Sequence, residues 1–128
     1  MREITSHKIE GQDHSQAIQI LALDEKGQGN ANHKYQISTL NLKVPDPSDI
    51  IFSNIDFQNG PVKEFGINGV SNESLIAIVI DRLQGFQGGE FSCRDNAVAL
   101  THLETAVLWL HKRTIDRLAR GVEGQNLK

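Results

Sequence analysis

The chain has 128 residues and a formal net charge of −3, which suits one domain or one small β unit fused to a helical hairpin. The acidic balance argues against a general binder of nucleic-acid polymers. No apolar segment approaches the length of a membrane span, and the single cysteine, Cys93, allows no intrachain disulfide, so a soluble cytoplasmic protein is expected.

Residues 2–9 alternate loosely and read as a first strand, with a turn over residues 11–15. Residues 17–23 form a better strand, with Ile18, Ile20 and Ala22 on one face. A polar connection over residues 24–32 carries Gly27 and Gly29, and residues 33–40 return as a strand alternating Tyr35, Ile37 and Thr39. Pro45 and Pro47 bracket a loop, and residues 50–57 make a fourth strand stopped at Asn59-Gly60-Pro61. Residues 62–70 read as a glycine-rich linker.

Beyond it the period changes to that of helices. Ser71 or Asn72 is a suitable N-cap for a helix carrying Leu75, Ile76, Ile78, Val79, Ile80 and Leu83, with Gly85 as its stop. Ser92 with Asp95 is expected to cap a second, longer helix running to about Arg120 and stopped at Gly121. The fold class is therefore α+β: an N-terminal antiparallel β-sheet of about four strands over 1–66, then a C-terminal two-helix hairpin over 67–128.

The long helix has more apolar surface than one partner can cover. Leu100, Leu103, Val107 and Leu110 form one stripe, while Val98, Leu108, Trp109, Ile115 and Leu118 lie partly off it. Two apolar sides imply a second contact, which reads as self-association.

No phosphate-binding glycine loop and no dinucleotide-binding fingerprint is present. The five histidines lack ligand spacing, and His102 and Glu104 fall on different helix faces, so neither a metal nor a catalytic residue is expected. Cys93 has no neighbouring histidine to activate it. An enzyme is the weaker reading.

The charge, though, is unevenly placed. Residues 94–128 carry six basic against four acidic residues, a balance of +2, leaving −5 for the rest. Localised positive charge on an acidic chain suits a small anionic ligand. Within the corner between the helices, Phe86 is either a plug of the core or a platform for a nucleobase. Asn96, one turn into the second helix, offers a carboxamide, or is an ordinary first-turn residue. Arg113, Arg117 and Arg120 form one ridge; Arg113, further from the helix end, is expected between apolar neighbours and in need of an anion, the other two as a solvated end. Asn96 and Arg113 are 17 residues apart, about 25 Å along a helix, so a mononucleotide-sized ligand touches both only where two subunits meet.

The pieces FQNGP (57–61), EFGINGVSNESLIAIVIDRLQGFQ (64–87), CRDNAVAL (93–100) and RTIDRLARGVEG (113–124) resemble phage proteins of the first Thoeris anti-defence family, which share their hairpin with phage anti-CBASS sponge proteins. The resemblance implies a non-catalytic protein without cofactors, acting in the cytoplasm of the infected host. It would bind a glycocyclic ADP-ribose isomer made by TIR-domain proteins and release it intact. Some members also hold cyclic trinucleotides at a separate site of a hexamer built from dimers. The family's aromatic, amide and guanidinium ligand residues match Phe86, Asn96 and Arg113. The loop around Asn32 and His33 is implied to close over the same pocket, and Arg82 and Arg94 are the basic candidates for trinucleotides. A cyclic-nucleotide hydrolase and a purely oligomerising scaffold are the alternatives.

Overall fold

A computed structural model describes residues 1–124. The chain divides into two units whose segments interleave: Met1–Gly60 with Ile67–Gly69, and Pro61–Gly66 with Val70 onward.

The first unit is the expected antiparallel meander, four strands in the order β1 (Arg2–Ile4), β2 (Gln19–Ala22), β3 (Lys34–Ser38) and β4 (Ile51–Asp56). Register runs from Ile4 opposite Ile20, through Ile20 opposite Ile37, to Ile37 opposite Ser53, so the β-branched residues align across the sheet. A bulge at Ile37/Ser38 shifts the last pairing. Leu21 and Ala22 are the buried apolar centre, and Tyr35 meets Phe57 edge-on at 5.7 Å.

Two details depart from the expected pattern. The first strand stops at Ile4 because Lys8 N–H turns back to the Thr5 carbonyl at 2.9 Å. The expected turn over residues 11–15 is in part a short helix, α1 (Asp13–Ala17), pinned by Ser15, whose buried hydroxyl accepts from Ile9 N–H at 2.9 Å. His7 Nε2 donates to the Ile18 carbonyl at 2.7 Å and ties the same turn to the start of β2.

The polar connection before β3 is wound around one carboxylate. Asp24 accepts the His33 N–H at 3.0 Å and the Lys34 N–H at 3.3 Å, and its own carbonyl accepts the Asn32 amide at 2.6 Å. Burial alone would raise the pKa of Asp24, but the N–H groups of His33 and Lys34 and the Asn32 amide outweigh it and hold it below its ordinary 3.8. A lowered folded pKa places the stabilisation above the ordinary value and removes it as pH falls through the lowered one. Amide exchange at His33 and Lys34 is therefore expected to accelerate on going from about pH 5 to below about pH 3, beyond the intrinsic pH trend. Protection that stays constant over that range would show that Asp24 does not hold the loop.

The expected linker over residues 62–70 is ordered. Asn68 pairs its carboxamide with both sides of Asn59, accepting its N–H and donating to its carbonyl, each at 2.8 Å. This joins Ile67–Gly69 to the sheet unit. A Cβ on Gly69 would sit 2.4 Å from the backbone carbon of Phe57, a contact only glycine permits.

The second unit holds α2 (Val62–Phe65), α3 (Asn72–Gln87) and α4 (Arg94–Ala119). Ser71 caps α3 as expected, in a reciprocal pair: its hydroxyl accepts Ser74 N–H at 3.1 Å, and the Ser74 hydroxyl accepts Ser71 N–H at 3.0 Å. α3 packs along α4, and the half-buried residues are Leu75, Ile76, Ile80 and Leu83 on one and Leu100, Leu103, Val107 and Leu110 on the other. After α4, Gly121 takes a positive φ of 72° and the chain folds back, with Gly124 carbonyl accepting Lys63 N–H at 3.2 Å. Among the described residues, no helix is long and apolar enough to cross a membrane.

Candidate functional site

The corner between α3 and α4 carries the first group of candidate residues. Gly85 does not stop α3, contrary to expectation. The helix continues to Gln87, and its last carbonyls are met by Gly88 N–H, to Gln84 at 3.1 Å, and Gly89 N–H, to Phe86 at 3.1 Å. Two consecutive glycines beyond Gln87 serve as the stop instead. Phe86 is thus helical and half-buried rather than part of a loop. Phe91 meets it edge-on at 6.3 Å, and the Arg82 guanidinium lies 5.0 Å from its ring centre. One aromatic face is covered by that cation.

The N-cap of α4 is Cys93, not Ser92. Its sulfur accepts the Asn96 N–H at 3.4 Å, a weaker partner than an oxygen would be. Asn96 is half-buried, and its carboxamide has no hydrogen bond among the described residues. Arg94 is exposed beside it.

The far end of α4 carries the second group. Trp109, Lys112, Arg113, Asp116, Arg117 and Arg120 line an open cavity of about 480 Å³. Here the burial order of the arginines reverses the expectation. Arg113 is exposed, and Arg117 is only 6% exposed. Leu103, Leu110, Thr114 and Arg117 recur at helical spacing along the packed face, whereas Arg113 is rotated toward Trp109. Burial is tolerable for Arg117 because its Nε donates to Glu123 Oε2 at 2.9 Å and its Nη2 to the Val122 carbonyl at 2.9 Å. Lys112 neutralises Asp116 at 2.8 Å. Arg113 and Arg120 keep their guanidinium groups without an anionic partner among the described residues.

Sequence reasoning put Arg120 on one ridge with Arg113 but did not connect Trp109 with them. The spacing 109, 113, 116, 120 on one helical face is the signal that groups them. Asn32 and His33 belong to the sheet unit. Asn32 is committed at both ends, its oxygen accepting Arg2 Nη2 at 2.8 Å and its nitrogen donating to Asp24. His33 is buried against Gly27, its Nδ1 without a hydrogen-bond partner among the described residues.

α4 is one continuous helix through both groups, so about 25 Å separates the Asn96 corner from Arg113. Along its length Leu108 and Trp109 are 68% and 67% exposed, and Ile115 and Leu118 are likewise open.

Residues 49–114, more than half of the chain, match the family model for the Acb2/Tad1 hairpin domain, and the chain belongs to that family. Over 74 residues it is 61% identical to the Bacillus phage SBSphiJ7 protein named Thoeris anti-defense 1. The match covers 58% of this chain and 52% of that protein, so the chain spans about half the length of the curated relative it matches.

Proposed function

We propose that this chain is a phage anti-defence protein that captures cyclic ADP-ribose-type signals made by TIR-domain enzymes and holds them without chemistry, in the host cytoplasm. The observation that carries this reading is the pair of uncommitted polar groups on α4, the Asn96 carboxamide at one end, across the corner from Phe86 of α3, and the Arg113 guanidinium at the other. The name of the Bacillus phage relative supports the biological setting.

Capture needs affinity and exclusion of water rather than transition-state stabilisation. A nucleobase would stack on the open face of Phe86, Asn96 would supply polar contacts, and Arg113 would grip the pyrophosphate with a bidentate, charge-assisted pair. Since one ligand cannot span about 25 Å, the corner of one copy and the basic end of another form each site. Exposed Leu108, Trp109, Ile115 and Leu118 supply apolar surface for that association, as a dimer or a trimer of dimers. Arg82 and Arg94 are the basic contacts for cyclic trinucleotides in the same reading.

The test is to incubate the protein with glycocyclic ADP-ribose, remove free ligand, denature by heat and analyse what is released. Intact ligand in near-stoichiometric amount is the expected result. A modified product would make the protein a hydrolase, and no depletion would leave an oligomeric scaffold.

A further inference from the structure

The corner that presents Phe86 and Asn96 is held by a few backbone bonds, Gly88 N–H to the Gln84 carbonyl, Gly89 N–H to the Phe86 carbonyl and Ser92 N–H to the Gly89 carbonyl. Gly88 and Gly89 bring no side chain to pack it, and the α4 cap is a sulfur. Against this background one side chain makes a two-point connection. Gln87, the last residue of α3, donates from Nε2 to the Cys93 carbonyl and accepts the Cys93 N–H at Oε1, both at 3.1 Å. Pairing both polar groups of one residue fixes distance and orientation together, as a rung of a β-ladder does.

The residues joined are those next to the candidate ligand groups. Gln87 follows Phe86 directly, and Cys93 is the cap whose sulfur meets Asn96 N–H. We infer that Gln87 is a positioning residue: its carboxamide sets the Phe86 ring and the Asn96 amide in one ligand-ready arrangement across a glycine corner that would otherwise sample many. The inference rests on the proposed capture function and deepens it, because the cost of ordering the corner is met before the ligand arrives. A substitution at Gln87 leaves the side chains of Phe86 and Asn96 chemically intact and changes only how they are held.

Two variants test it. Gln87→Leu keeps the volume and removes both hydrogen bonds. Its affinity for glycocyclic ADP-ribose should fall roughly 10- to 100-fold, two neutral hydrogen bonds' worth. The Cys93 amide should lose exchange protection while amides in the middle of α4 keep theirs. Gln87→Glu supplies the sharper readout. A neutral carboxylic acid mimics the carboxamide, donating through O–H and accepting through C=O, whereas a carboxylate faces the Cys93 carbonyl with a second acceptor. That variant should bind as weakly as Gln87→Leu at about pH 8 and recover toward wild type as pH falls to about 4, near the ordinary glutamate pKa, while wild type shows no such recovery.

Wild-type binding together with unchanged affinity in Gln87→Leu would overturn the clamp and leave the capture function standing. So would a Gln87→Glu profile parallel to that of wild type. Failure of the wild-type protein to bind the probe would instead overturn the functional reading on which the clamp depends.

Discussion

Arg113→Ala should lose glycocyclic ADP-ribose capture by roughly 100-fold or more, the scale for truncating one partner of a charge-assisted pair. The variant should fold and assemble as wild type does, because Arg113 is exposed and makes no ion pair or hydrogen bond among the described residues that its loss would break. Arg113→Lys should fall between the two, since an ammonium keeps the charge and forfeits the planar fork. Calorimetric titration beside a sedimentation measurement separates binding from assembly. Unchanged affinity in Arg113→Ala would take Arg113 out of the site.

Arg117→Ala should act in the opposite way, on stability first. Removing one member of a buried ion pair costs about 3–5 kcal/mol. Glu123 is 37% exposed and can be rehydrated, which lowers the expected loss to about 1–3 kcal/mol. The Val122 carbonyl loses its donor as well, so the turn through Gly121 and Gly124 should loosen from the end of α4. Thermal unfolding followed by circular dichroism reads the loss. Arg117→Met, which keeps the apolar stem, should recover part of it. A melting temperature identical to wild type would show that the ion pair is not what anchors this turn.

These two arginines also show where the sequence was legible and where it was not. Both stand on the same basic ridge, and spacing alone placed them on one helix correctly. Which of them is buried depends on the fold-back after Gly121, a tertiary event that helical periodicity does not report. The four-stranded meander could be read because Ile20, Ile37 and Tyr35 recur with the two-residue period of half-buried strands. A cap at Ser71 or Asn72 could be read from residue type ahead of an apolar helical run, whereas the reciprocal pair with Ser74 that decides for Ser71 is a detail of the structure. By contrast, the helix over Asp13–Ala17 depends on Ser15 reaching back to Ile9, and the stop of α3 depends on Gly88 and Gly89 rather than on the first glycine met. Phe86 and Asn96 were identified as candidates by type and resemblance. Their setting, with Arg82 over the ring and Gln87 bonded across the corner, depends on how the corner folds, which residue type and spacing do not report.

The uninterrupted length of α4 has a genetic consequence. If every pocket joins the corner of one copy to the basic end of another, a chain damaged at one end is still a sound donor of the other. Phe86→Ala and Arg113→Ala chains would each be inert alone. Mixed within a two-fold pair, they would restore one pocket of two, and random pairing of equal amounts would recover about a quarter of wild-type capacity. Two defective alleles infecting one cell would complement each other, whereas a pocket contained within one chain would allow no such rescue.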